Sequence, residues 1–282
     1  MQANLLKEYE LKESSKLEYE RQLWEARFTP CGKFLVAGGY DATIQRWRVT
    51  VDGFEPLPAF TGHGGWVQCL APIGDERLVS ADSWGRVSLW KYSAEAAAAP
   101  LWTIADALGG WIRTLAISPD ESLLAVAGND SVIRLLSVKD GSVQREIGGI
   151  ENRVFSLCFH PNGKSLVSGD LKGGIHEWNV ESGQSVRKLD APSFYKLNHM
   201  QDSGGIRRLA FDAEGTRLLC GGMKDPAGGF CQGAPQLIVF DWATGKPTHE
   251  IVAGDATEGF IYDAQFHPDG FVMACSSAFP GK

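Results

Sequence analysis

Histidines gathered with carboxylates bind metals or pass protons, and thiolates attack or ligate, so the six His and six Cys of the chain are where chemistry would start. The histidines are scattered. His63 follows a glycine, His160 and His267 sit in turns of the type FHPxG, His176 and His249 fall in expected strands, and His199 lies in a long loop. There is no GxSxG, P-loop, HExxH or strand-linked GxGxxG, and Gly38-Gly39 and Gly221-Gly222 read as turns. The cysteines at 31, 69, 158, 220, 231 and 275 form no CxxC pair and no zinc-ligand spacing. Cys69, Cys158, Cys220 and Cys275 are expected inside strands, where a reduced thiol packs as a small hydrophobe. Reduced thiols predict a cytoplasmic protein. The chain is read as non-catalytic, with no cofactor and no metal.

The elements that would position any site are repeated. Leu23, Val67, Ile112, Val154, Ile206 and Ile261 each open an apolar run, 42 to 55 residues apart. Most runs reach one kind of turn: FTPCG at 28–32, ISPDE at 117–121, FHPNG at 159–163, FDAEG at 211–215 and FHPDG at 266–270. A second run, a glycine-rich turn and a third run with an aromatic near its end follow. In residues 149–189, strands are expected at 154–159, 165–169, 175–180 and 184–189, separated by HPNG, DLKGG and ESG turns. Four short strands per repeat of this length predict an all-β propeller of four-stranded antiparallel blades.

The unbroken repeat argues for one domain over residues 1–282, with blades at 22–61, 62–106, 107–148, 149–200, 201–254 and 255–282. The last is incomplete, giving about five and a half blades. Net charge is −7, which disfavours nucleic acid as the primary partner, since phosphate binding needs a basic stripe. No apolar run has membrane-spanning length, and residues 1–20 have no signal-peptide pattern.

Third strands ending in Trp47, Trp90 and Trp178, with Leu136 and Phe240 in the equivalent places, and the Gly62-His63 step give the chain its resemblance to WD-repeat propellers. The resemblance covers roughly residues 20–282. In that family His, Ser/Thr, Asp and Trp form a hydrogen-bonded tetrad within a blade, and the reading finds no complete set. Blade 2 offers His63, Ser80 and Trp90, with Trp84 read at the acidic position. Blade 1 offers Asp41 and Trp47, with Tyr19 and Ala37 in the other two places; blade 3 offers Asp130 alone; blade 4 offers Ser168 and Trp178, with Lys172 at the acidic position. The resemblance also implies seven blades in a complete protein, so 282 residues are read as part of a longer chain. Residues 4–11 (NLLKEYEL) are a candidate closing strand, with a frayed helix as the other reading.

The family binds partners on a "top" face, where residues flanking the first anchor of each inner strand gather. Carried over, these positions are Gln22/Trp24, Trp66/Gln68, Trp111/Arg113, Arg153/Phe155, Gly205/Arg207 and Phe260/Tyr262. Tyr40, Ser83, Trp84, Asn129 and Leu171, in second-to-third-strand turns, are expected on the same rim. Single aromatics there serve equally well as packing between blades. As a set, aromatics with three Arg are types enriched at binding hot spots. They imply a protein or peptide partner with acidic or phosphorylated groups, read by bidentate Arg contacts and stacking. The insertion at 223–236 (MKDPAGGFCQGAPQ) offers Phe230 as an apolar anchor, or is a tolerated surface insertion. The stretch 95–100 (EAAAAP) is read as filler, and 191–204 as support for the same face. Asp263 is taken as the single inner-strand carboxylate, and one carboxylate makes no acid–base pair. The reading is a non-catalytic interaction scaffold; the alternative is an enzyme or small-ligand sensor using the central channel.

Overall fold

A computed structural model describes residues 15–198, 200–227, 232–256 and 258–276. Within them the chain forms five four-stranded antiparallel sheets, a two-stranded sheet in the sixth repeat, and one further hairpin. Blade 4 shows the pattern. Its strands are Val154–Phe159, Ser165–Asp170, Gly174–Asn179 and Ser185–Asp190, paired in chain order. Each lies within one residue of the span expected from turn chemistry. Burial falls off outward, and the fourth strand alternates between exposed and half-buried positions as an outer edge must.

The inner strands are Leu23–Phe28, Val67–Ile73, Ile112–Ile117, Val154–Phe159, Arg208–Phe211 and Ile261–Phe266. All six line one channel of about 1040 Å³. Blade-to-blade packing follows one rule. The position on the second strand paired two residues past each opening anchor is Gly38, Ala81, Ala127, Gly169 or Gly221. The anchor of the next blade seats against it. A Cβ on Gly38 would lie 2.6 Å from Val67 Cγ1, on Gly169 2.7 Å from Ile206 Cγ2, and on Gly221 2.8 Å from Ile261 Cγ2. Ala81 shares a core cluster with Ile112, and Ala127 shares one with Val154. Between blades 6 and 1, Arg27 bridges Asp263 and its own strand's Glu25, while Arg208 of blade 5 holds Asp263 at 2.8 Å. Asp263 is therefore not the single inner-strand carboxylate: Glu25 is another, accepting the Leu70 N–H at 2.7 Å. Both are bound up in ion pairs.

The residues leading into the connection at 95–100 are tied to the core. Arg46 is 1% exposed, lies 3.9 Å over the Phe60 ring, and donates to the carbonyls of Pro58, Tyr92 and Ala94 at 2.6–2.9 Å. A longer contact reaches the Ala96 carbonyl at 3.4 Å. A buried guanidinium needs such acceptors, so the start of this outer connection has a structural use. Cys69 and Cys220 are buried, but Cys275 is exposed, because Val272–Ser276 is the outer of two strands among the described residues. The candidate closing strand at 4–11, His199, Phe230 and Cys231 lie outside the described residues.

The anchor rule predicts that Gly38→Ala destabilises the protein by about 1–3 kcal/mol, since the new methyl meets both Val67 Cγ1 and the Val67 carbonyl. Urea unfolding followed by tryptophan fluorescence measures this. An unchanged midpoint would show that the blades do not seat as described.

Candidate functional site

The site begins with a backbone irregularity. In five inner strands the register slips by one residue just after the anchor: between Leu23 and Glu25, Val67 and Cys69, Ile112 and Thr114, Val154 and Ser156, and Ile261 and Asp263. Each slip leaves one residue unpaired: Trp24, Gln68, Arg113, Phe155 or Tyr262. A bulge re-aims the side chain of its extra residue. Arg207 holds the matching place in blade 5, directly after Ile206, with its N–H on the Gly221 carbonyl at 2.8 Å. All six side chains line the channel. The collar of bulge residues is the inner part of the candidate face.

The residues before each anchor form its outer part. The turn after the second strand donates a backbone N–H to this residue's carbonyl: Tyr40 to Gln22 at 3.2 Å, Ser83 to Trp66 at 3.0 Å, Asn129 to Trp111 at 3.1 Å, and Leu171 to Arg153 at 3.0 Å. These backbone bonds place the flanking residues beside the second-to-third-strand turns. Around the candidate face the side chains touch in series. Trp24 and Tyr40 lie 5.7 Å apart, Tyr40 and Trp66 4.6 Å, and Trp66 and Trp111 5.7 Å. The Arg113 guanidinium lies 5.2 Å from the Trp111 ring and 4.8 Å from Phe155. Arg207 lies 4.1 Å from Phe155 and 4.5 Å from Phe260, whose ring is 6.2 Å from Tyr262. Burial raises the Tyr40 pKa, and the Tyr262 phenol adds to the rise.

Exposure separates contact from packing. Trp24, Trp66, Trp84 and Tyr262 are 45%, 38%, 70% and 51% exposed, although large apolar side chains favour burial. Phe260 and Gln68 are buried, and Tyr40, Trp111, Arg113, Phe155 and Arg207 are half-buried. Arg153 is exposed. Arg113 donates through Nε to Asn129 Oδ1 at 2.6 Å. Burial lowers its pKa, and the positive charge of Arg153 lowers it further. Arginine stacked on aromatic rings keeps a planar donor edge suited to carboxylate or phosphate.

The turn carrying Trp84 is fixed by a complete tetrad, correcting the expectation that no blade has one. His63 Nδ1 contacts Asp82 Oδ2 at 2.9 Å, His63 Nε2 contacts Ser80 Oγ at 2.6 Å, and Trp90 Nε1 donates to Ser80 Oγ at 2.7 Å. The acid is Asp82. Trp84, read at that position, projects outward over Gly64 and Gly65. Asp82 also accepts the N–H groups of Gly64, Trp84 and Arg86 at 2.9–3.1 Å. Blade 4 follows suit: Asp170, not Lys172, is the acid, taking Lys172 N–H and Gly174 N–H at 2.8 Å and Asn152 Nδ2 at 3.3 Å. Trp178 donates to Ser168 at 2.8 Å. Both acids stand two residues after the tetrad serine and eight before the tryptophan, a shared Ser-x-Asp spacing that the sequence carried. In blade 1, Tyr19 fills the His place, donating to Asp41 at 2.7 Å and lying edge-on to Trp47. In blade 3, Asp130 is taken up by Arg134 at 2.6 Å.

Blade 5 builds out the same side of the molecule. Its middle strands extend over Arg217–Ala227 and Gln232–Asp241, so the insertion lengthens a hairpin. The preceding segment forms a 3-10 turn, Pro192–Phe194, and a hairpin of Tyr195–Asn198 and Gln201–Gly204. Phe194, fully buried, packs against Gly222, and Ser193 donates to Gln236 Oε1 at 3.0 Å. Among the described residues no group of three or more His, Cys, Asp and Glu is placed to hold a metal ion.

Four segments, 17–48, 54–91, 100–137 and 141–179, match the model of the WD domain, G-beta repeat. Curated relatives include the human (Homo sapiens) THO complex subunit 6, 21% identical over 207 residues covering 69% of this chain and 60% of that protein. Small ribosomal subunit protein RACK1y of Oryza sativa subsp. japonica is 27% identical over 185 residues, 64% of this chain and 51% of the relative. The chain thus spans less than two thirds of the length of these relatives. Among solved structures, a chain of the crystal structure of the mitotic checkpoint complex superposes with a TM-score of 0.73 at 18% identity, over 93% of this chain and 73% of that one.

Burial raises the pKa of Asp82, but hydrogen bonds from His63, Arg86 N–H and Trp84 N–H outweigh it and bring it down to about 2. A depressed carboxylate pKa stabilises the fold above the unfolded value near 4 and loses that contribution as pH falls toward 2. Asp82→Asn should therefore cost about 2 kcal/mol at pH 7, with the gap to the native protein narrowing between pH 4 and pH 2. Chemical unfolding at stepped pH reads the gap; a pH-independent difference would contradict the ionised tetrad.

Proposed function

Because the chain belongs to the WD domain, G-beta repeat family, we propose that it is a non-catalytic interaction scaffold whose protein or peptide partner docks on the rim around the channel mouth. The observation that carries this reading is the unbroken series of aromatic and arginine contacts from Trp24 to Tyr262, with Trp24, Trp66 and Tyr262 exposed and most of the rest half-buried. Solvent-exposed tryptophans on rigid strand ends supply large contact area at small conformational cost, and arginines beside them supply directional donors. Relatives whose names place them in a complex and in a ribosomal subunit support a role in assemblies. Arg113, Arg153 and Arg207 favour a partner that presents carboxylates or phosphates.

The inner-strand carboxylates argue for this reading over catalysis in the channel. Glu25 and Asp263 share Arg27. Burial raises the Glu25 pKa, while Arg27 and the Leu70 N–H oppose the rise. A base so engaged by a guanidinium is part of the scaffold's closure rather than a free proton acceptor.

A pull-down from source-cell lysate with the full chain, beside a variant carrying Trp66→Ala, Trp111→Ala and Arg113→Ala, tests the proposal. We expect at least one partner retained by the native chain and lost, by tenfold or more, from the variant. Identical capture by both baits would move the binding surface to the outer edges or the opposite rim.

A further inference from the structure

The rim is not uniform. From blade 6 through blade 2 it presents Tyr262, Trp24, Tyr40, Trp66 and Trp84, with no cation among the rim positions. From blade 3 through blade 5 it presents Arg113, Arg153 and Arg207, threaded by Phe155. The two halves meet at one opening, since Trp24 and Tyr262 line the same channel mouth as Arg113, Phe155 and Arg207.

Charge sharpens the contrast. The chain carries a net −7, yet these rim positions are cationic or neutral. The turn aspartates beside them are occupied internally: Asp82 and Asp170 are buried in their tetrads, Asp41 is held by Tyr19 and Thr43, and Asp130 by Arg134. Arg113 is held by stacking on Trp111 and Phe155 and by Asn129, with Arg153 close enough for its charge to be felt. Such a preorganised cationic cluster gains most from an incoming anion, because the cost of gathering like charges has already been met by the fold.

Resting on the reading that this rim is the docking face, we propose that it is divided into an apolar half and a cationic half. It takes a linear peptide segment whose aromatic or aliphatic cluster lies over Trp24, Trp66, Trp84 and Tyr262 and whose anionic cluster reaches Arg113 and Arg207. The channel mouth between them is crossed by the linking residues. This arrangement fixes the direction in which the segment lies as well as its composition, since reversing it would set carboxylates on indole faces and apolar side chains on the arginines.

Selection from a phage-displayed library of random 12-residue peptides on the full chain tests this. Two double variants serve as comparisons: Arg113→Glu with Arg207→Glu, and Trp24→Ala with Trp84→Ala. Thermal melting checks that each is folded, and Arg113→Gln with Arg207→Gln replaces the charge reversal if that variant fails to fold. The native chain should enrich peptides with an acidic cluster and an apolar cluster in one fixed order. The charge reversal should abolish the acidic preference while keeping the apolar one, and the tryptophan variant the converse, each weakening the best native peptide tenfold or more. Replacing its glutamates by phosphoserine then separates the two anion sources: tighter binding assigns phosphate, weaker binding carboxylate. Peptides lacking either cluster, clusters in random order, or no enrichment overturn the two-zone division while leaving the docking face standing if the pull-down contrast holds. Identical peptides from all three proteins overturn both.

Discussion

The structure depends on the seating of one branched apolar side chain against a residue with little or no side chain. Val67, Ile112, Val154, Ile206 and Ile261 are each at most 1% exposed, and each packs where the preceding blade offers Gly38, Ala81, Ala127, Gly169 or Gly221. A sheet has two faces to cover, and a four-stranded blade cannot cover either by itself. Repeating one anchor and one small receiver lets every blade bury its neighbour's face. This is why the anchor is the best-defined feature of the sequence.

Function is placed by what happens immediately after that anchor. The anchor must point into the interface, and the strand must then rejoin its partner with alternate residues facing the channel. A one-residue bulge reconciles the two demands. The unpaired residue it creates is released from the ladder's alternation, so its type can differ between blades: aromatic at Trp24, Phe155 and Tyr262, an amide at Gln68 and a guanidinium at Arg113. A rigid, repeated backbone thus presents a variable collar.

The polar groups divide into those that fix this backbone and those that face outward. The Ser80–His63–Asp82–Trp90 set satisfies buried donors and acceptors together, and the same aspartate captures the backbone N–H groups of the turn that lifts Trp84 into solvent. Arg46 and Arg27 do comparable work at blade junctions, one on carbonyls and one on carboxylates. Their charges are used within the fold. Those of Arg113 and Arg207 lie over aromatic rings on the rim, where Arg153 is exposed.

By itself the sequence determined the architecture, because turn chemistry and apolar alternation are local: HPNG and ESG bound the strands of blade 4 whatever surrounds them. The residues beside each anchor could be named from the sequence as well, since they stand at fixed offsets from it. The sequence did not yield the tetrad acids. The chain places both Asp82 and Trp84 in one five-residue turn, and the Ser-x-Asp spacing that marks the acid gains its meaning once the folded turn shows Asp82 pointing at His63. Nor did it reveal that Glu25 and Asp263 are joined through Arg27, because those residues lie at opposite ends of the chain and meet when blade 6 comes round to blade 1. The sharing of one channel mouth by an aromatic half and an arginine half is likewise a property of the ring, which brings first and last repeats together and no local pattern records.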